Sequence, residues 1–148
     1  MKLTAVRTTL AVILFAVLVG MAATANASSC SLARVAGNFG YTTTGSIPTL
    51  GPFAAVGHVT FDATGHFDGA QTTSFAGTLF DETVSGTFTV NSDCTGTAVV
   101  NVYHSGVLFR TTNLDLVWVS NRNQIRAIFR TAGTAITIEA NRIFNEDD

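Results

Sequence analysis

The sequence predicts an all-β domain, an eight-stranded antiparallel meander closed into an up-and-down barrel. Three observations lead there. After residue 34 no apolar pattern repeats at the helical period. Clusters of Gly, Asn and Asp recur roughly every 8 to 14 residues, as expected for short strands joined by tight turns. From Ser28 onward Thr is the commonest residue, 19 in all, and Val, Ile and Phe are plentiful. Such β-branched and aromatic side chains suit a pleated surface.

The first 27 residues read as a removable leader. Lys2 and Arg7 are basic, residues 10–19 are uninterruptedly apolar, and Ala25-Asn26-Ala27 is a cleavage pattern. Even extended to Ala23, the apolar stretch is shorter than the roughly 20 residues a membrane span needs. Cleavage leaves a single domain, residues 28–148, that is secreted or periplasmic and not inserted in a membrane. It retains six Arg, ten acidic residues and no Lys. Three of those acids, Glu146, Asp147 and Asp148, form a solvated end. The acidic balance excludes a nucleic-acid binder. A hydrophobic fraction of 47% against 12% charged excludes a disordered chain. Two cysteines in an exported chain predict one disulfide, Cys30 to Cys94. It closes a loop of about 65 residues, worth roughly 4 kcal/mol in the chain-entropy model.

Strands are expected at 36–45, 53–62, 66–75, 83–90, 97–103, 107–119, 124–131 and 134–144. Asp62-Ala63-Thr64-Gly65-His66 fits a three-residue hairpin loop with Gly65 left-handed. That register puts Phe61 opposite Phe67 and Val59 opposite Gly69, both aromatics on one face. Ala132-Gly133 fits a two-residue turn that sets Phe129, Ala127 and Ile125 opposite Ile136, Ile138 and Ala140. The other face then pairs Arg126 with Glu139. The sixth and seventh strands bring Trp118 to Ile125, Leu116 to Ala127 and Leu114 to Phe129. Asp93-Cys94-Thr95-Gly96 reads as turn chemistry, Asp capping and Gly accepting positive φ. Only residues 46–52 and 76–82 read as longer connections, so neighbours in sequence are neighbours in the sheet. Closing such a sheet removes its edges and encloses room for side chains or one small ligand. A flattened sandwich is the alternative. Its immunoglobulin form needs a Trp between paired cysteines, whereas Trp118 follows both.

Three segments carry a family resemblance: Gly37-Asn38-Phe39-Gly40-Tyr41-Thr42, the stretch from Gly51-Pro52-Phe53 to Phe61-Asp62, and that from Val84-Ser85-Gly86 to Cys94-Thr95-Gly96-Thr97. Together they resemble small secreted proteins of the allene oxide cyclase-like, calycin-type barrel group. The resemblance implies an eight-stranded barrel and, in part of the group, cyclase or isomerase activity on lipid or polyketide substrates. Lipocalins, also calycins, open with G-x-W and close the barrel with a late Arg stacked across its end. Gly37-x-Phe39 and Arg142 stand in similar places, with Phe for Trp. The resemblance implies barrel closure for Phe39 and Arg142; the residues alone equally allow Arg142 to be a surface charge.

No cofactor and no metal site is indicated, since His58, His66 and His104 lack ligand spacing. Asp81-Glu82 falls in an expected loop, with adjacent carboxylates pointing apart. If Phe61, Phe67 and Phe75 face inward, Gln71 and Thr73 do too, and a buried Gln needs partners. Tyr41 sits where it can line the mouth or simply pack. Arg110 depends on the loop before it. His104-Ser105-Gly106 as a three-residue loop turns Arg110 inward, where it needs an anionic partner. Ser105-Gly106 as a two-residue loop turns Phe109 inward and Arg110 outward, which is the default.

Three functions follow from this reading. The barrel holds a small apolar or amphipathic molecule against Phe61, Phe67, Phe75, Leu114, Leu116 and Trp118, oriented by Gln71 and Arg110. It is a cyclase or isomerase of the type the resemblance implies. Or it is a structural or surface-interaction protein with a filled interior. A cavity above about 300 Å³ with convergent polar groups favours the first two, and a solid core the third. Oligomeric state is left open.

Overall fold

The computed structural model describes residues 29–143; the leader and the acidic end lie outside the described residues. A one-turn helix, α1 (Leu32–Val35), precedes eight strands. These are β1 (Gly37–Ile47), β2 (Gly51–Phe61), β3 (His66–Phe75), β4 (Thr78–Val90), β5 (Thr95–His104), β6 (Val107–Val119), β7 (Gln124–Phe129) and β8 (Ala135–Arg142). All pair antiparallel with their sequence neighbours, and β1 also pairs with β8, closing the barrel. The architecture is the meander barrel expected from the sequence and is consistent with a calycin-type barrel; the sandwich is set aside. Among the described residues no helix is long and apolar enough to cross a membrane.

The registers follow from turn chemistry and alternation acting together. Phe61 faces Phe67 and Val59 faces Gly69 across β2 and β3. Gly65 takes φ 93° in the turn between them, whose ends are joined by the Asp62 amide donating to the His66 carbonyl. Trp118, Leu116 and Leu114 face Ile125, Ala127 and Phe129. Ile125 and Ala127 face Ala140 and Ile138, and Arg126 pairs with Glu139 on the outer face.

Four expectations need correction. The connection at 76–82 shrinks to Ala76-Gly77, both left-handed at φ 48° and 92°, which matches the strand twist of a tight hairpin. β4 therefore starts at Thr78, and Asp81-Glu82 lies on a strand. The connection at 46–52 shrinks to residues 48–50. Strands β7 and β8 are shorter than expected because the chain leaves the ladder after Phe129. At the Cys94 turn, Asp93 caps Thr95 as expected, but Cys94 takes the left-handed conformation (φ 69°) and Gly96 does not. Gly96 is instead a close-approach position in β5, where a methyl group would meet the Thr89 carbonyl and the Trp118 ring.

One end of the barrel is closed. Phe39, Phe61, Phe67, Phe88 and Trp118 interlock there, with Phe61–Phe88 centroids 4.9 Å apart and Phe39–Phe61 5.7 Å apart, both edge to face. Each buried ring contributes about 1.5–3 kcal/mol of transfer free energy. Val35 of α1 packs into this cluster, fully buried. The Cys30–Cys94 disulfide ties the segment before α1 to the β4–β5 turn. The Arg142 guanidinium lies 4.7 Å from the Phe39 ring centroid and donates to the Ala36 carbonyl at 2.9 Å. It also donates to the carbonyl of Arg122, at 3.4 Å. That residue ends a run of three left-handed residues, Ser120, Asn121 and Arg122, in the β6–β7 turn. Arg142 thus joins three segments across the closed end rather than standing as a surface charge.

Candidate functional site

The opposite end, ringed by residues 48–50, 76–77, 105–106 and 130–134, is the mouth. Its position follows from the alternation in each strand, which sends every second side chain inward. Between the mouth and the closed end lies an internal cavity of about 80 Å³. Its walls are apolar toward the closed end, with Phe61, Phe67, Val84, Leu114, Leu116 and Ile125. Tyr41, Thr43, Gln71, Arg110 and Thr112 give it polar groups. Of the residues expected in the interior, Phe61, Phe67, Gln71, Arg110, Leu114 and Leu116 line this cavity. Trp118 is buried in the aromatic cluster of the closed end, and its Nε1 has no hydrogen-bond partner among the described residues. Phe75 stands at the mouth, edge-on to Phe53 at 4.9 Å.

Arg110 faces inward, by a route that neither loop alternative contains. The loop is the two-residue one, Ser105-Gly106, left-handed at both positions (φ 51° and 79°). His104 pairs with Val107 and Tyr103 with Leu108, but the ladder then shifts so that Val102 pairs with Arg110. Phe109 is the extra residue of a β-bulge. One inserted residue reverses the facing of everything after it, so the expected outward Arg110 is overturned and Phe109 is left 62% exposed.

The anionic partner that an inward Arg requires is Glu82, which the sequence reading placed in a loop. With β4 starting at Thr78, alternation runs inward through Phe80, Glu82, Val84, Gly86 and Phe88. Arg110 Nη1 and Nη2 donate to Glu82 Oε1 and Oε2 at 2.8 and 3.0 Å, a bidentate fork. Thr73 Oγ1 and Gln71 Nε2 each donate to Glu82 Oε2 at 2.6 Å. Gln71 Nε2 also donates to Thr73 Oγ1 at 2.9 Å, and Tyr41 donates its hydroxyl to Gln71 Oε1 at 2.8 Å. Four strands, β1, β3, β4 and β6, each supply a member. Gln71, expected to be buried, is half-buried and has found its partners inside the protein. Arg110 is further held among aromatic faces, its Cζ 5.3 Å from the Phe75 centroid and 5.8 Å from that of Phe53.

The environment moves two acids away from neutrality in opposite directions. Burial pushes the Glu82 carboxyl up, but the Arg110 fork and the Thr73 and Gln71 hydrogen bonds outweigh it, and the group stays below its ordinary range. Burial, then the charge of Glu82, push the Tyr41 phenol well above its ordinary value, against a smaller opposing effect of Arg110. At neutral pH the cluster is one carboxylate, one guanidinium and a protonated phenol.

The histidines lie elsewhere. His58 is exposed on the outer face, and His66 sits beside Asp62 at the β2–β3 turn. His104 rests edge-on against Phe80 at the mouth, 5.6 Å between centroids. A second depression, on the outer wall of β2 to β5, is lined by Val56, His58, Thr72, Asp81 and Tyr103, and the Asp81 carboxylate there is already engaged by the Thr72 hydroxyl at 2.9 Å. Searches of known protein families, of characterised proteins and of solved structures find no match for the chain.

Proposed function

We propose that this protein is an exported barrel that binds a small apolar or amphipathic molecule in its interior, the molecule entering at the mouth. One observation carries the reading: an Arg110–Glu82 ion pair, held by Thr73 and Gln71, is set into the barrel beside a largely apolar cavity with Arg110 on its wall. Filling the barrel for stability alone does not call for it. Well-packed apolar side chains in place of a buried ion pair are often neutral or stabilising. Apolar walls with a few convergent polar groups are instead the make-up of a ligand site.

The cavity, about 80 Å³, is well short of the roughly 300 Å³ of a drug-sized site. It is also smaller than the approximately 150 Å³ apolar cavity that accepts benzene. It suits a molecule of a few heavy atoms unless the Phe53 and Phe75 rings at the mouth move. The cyclase or isomerase activity suggested by the allene oxide cyclase-like resemblance is the weaker reading. Glu82 and Tyr41 are displaced from neutrality in the directions that keep one ionised and the other protonated, so neither is poised to exchange a proton near pH 7. Export rests on the leader pattern, and the disulfide agrees with an oxidising compartment.

Native mass spectrometry of the protein purified from its own host tests the reading. A bound small molecule is expected in the unaltered protein and is expected to be lost in Ala98→Leu, because Ala98 is a buried residue of the cavity wall and the larger side chain fills the space. A ligand-free spectrum from the host-purified protein, or a ligand retained in full by Ala98→Leu, overturns it.

A further inference from the structure

A count of hydrogen-bonding capacity around the cavity separates groups that are spent from groups that are still available. Glu82 is spent. Its side chain is 1% exposed, it is not part of the cavity wall, and its carboxylate accepts from Arg110, Thr73 and Gln71. Gln71 has no donor left: both amide hydrogens are donated, to Thr73 and Glu82, while its oxygen accepts from Tyr41 and keeps one lone pair.

What remains on the wall is specific. The Tyr41 hydroxyl uses its hydrogen on Gln71, and among the described residues nothing donates to its oxygen. Thr43, 3% exposed on the wall, makes no side-chain hydrogen bond with the described residues. Arg110 has five N–H groups, of which the Glu82 fork takes two. The cavity therefore offers fixed acceptors at Tyr41 and Gln71, donors at Arg110, and the Thr43 hydroxyl of either sense.

The charge count is equally specific. The cation on the wall is already matched by the carboxylate behind it, so the site is neutral as it stands. A ligand carboxylate would bury an extra negative charge with no uncommitted cation to meet it. A ligand ammonium would face the Arg110 guanidinium while Glu82 stays covered. Burying an ion without its own partner is the costliest way to fill an apolar site.

We infer that the interior selects an uncharged head group able both to donate and to accept a hydrogen bond, an alcohol above all, and rejects carboxylates and amines carrying the same apolar body. This rests on the interior-binding reading and specifies the chemical class of its ligand. The alcohol donates to the Tyr41 oxygen and accepts from an Arg110 N–H, while its short apolar body lies toward Leu114, Leu116 and Ile125.

Amide-shift titration of the isotope-labelled protein at about pH 7, where acetate and ethylammonium are both ionised, with ethanol, acetate and ethylammonium tests this. Ethanol is expected to shift residues of the cavity wall and to bind at least about fivefold more tightly than either ion. Tyr41→Phe removes one acceptor and is expected to weaken ethanol by about fivefold. Glu82→Gln leaves Arg110 unmatched and is expected to raise acetate relative to ethanol by about tenfold. If Glu82→Gln does not fold, the ranking in the unaltered protein and in Tyr41→Phe still decides. Either ion binding as tightly as ethanol in the unaltered protein overturns the inference but leaves interior binding standing, and so does ethanol indifferent to Tyr41→Phe. No wall shift with any of the three overturns both.

Discussion

The two ends of this barrel are built on opposite principles. The closed end is aromatic, held by ring-to-ring contacts, a disulfide and Arg142 reaching over Phe39 to the carbonyls of Ala36 and Arg122. The mouth end places a carboxylate and a guanidinium inside the wall and leaves apolar side chains outside it: Leu79, Val107, Leu108 and Phe109 are all more than half exposed. At one end polarity serves the backbone; at the other it is turned toward a cavity. The first arrangement stabilises a fold, whereas the second adds little stability that apolar packing would not supply, and that contrast is why the binding function we propose is placed at the mouth end.

The largest effect that tests this contrast is at Glu82. Glu82→Ala leaves the half-buried Arg110 without its partner and is expected to cost up to about 3–5 kcal/mol in urea unfolding. Glu82→Leu together with Arg110→Leu removes both charges and is expected to recover most of that loss. A double variant as unstable as the single one would make the pair a structural necessity and erase the difference between the ends. The pH dependence has a definite sign. A carboxyl held below its unfolded value contributes its stability in full above that value, near 4.3, and loses it as pH falls through the lower folded value. The double variant is expected to flatten this acid limb.

The disulfide tests the closed end in the same way. Cys30→Ser with Cys94→Ser is expected to cost roughly 4 kcal/mol, the chain-entropy value for a link of sequence separation 64. Hydrogen exchange is expected to speed up in α1 and the Cys94 turn, while strand amides beside Glu82 and Arg110 keep their protection relative to global unfolding. Equal loosening of both ends would show them to be one cooperative unit.

The same division explains what the sequence disclosed. The strand pairings of the closed end were legible because two signals coincide there. Gly65 fixes the β2–β3 turn, and the alternation of Phe61, Phe67, Trp118 and Ile125 admits only one register. The disulfide was legible from the count of cysteines. At the mouth the β7–β8 register is also as expected, but the signals for β4 and β6 fail for physical reasons. Asp81-Glu82 interrupts the apolar alternation of β4, so the strand seemed to begin at residue 83, although counting inward positions back from Phe88 and Val84 leads directly to Glu82. Val107-Leu108-Phe109 is a run of three apolar residues with no alternation, and it hides a bulge that only the partner strand can reveal. Burial of a charge depends on a partner supplied by another strand, 28 residues away in this case. Neither residue declares it alone.

Two Arg–Glu pairs in this barrel offer the finest version of the comparison. Arg126 and Glu139 face each other across β7 and β8 on the outer surface, with side chains 45% and 65% exposed. Arg110 and Glu82 are the same residue types inside, 22% and 1% exposed. Water screens the outer pair, and holding two long side chains together costs entropy, so a double-mutant cycle there is expected to give about 0.2–1 kcal/mol and to fade with added salt. The inner pair, shielded from salt and fixed by Thr73 and Gln71, is expected to show a coupling several times larger that salt scarcely alters. Most of that coupling measures the penalty of stranding one charge rather than any net gain from having both. Equal couplings at the two sites would mean that solvent reaches Glu82 freely, and the neutral interior on which the proposed ligand selection rests would be lost.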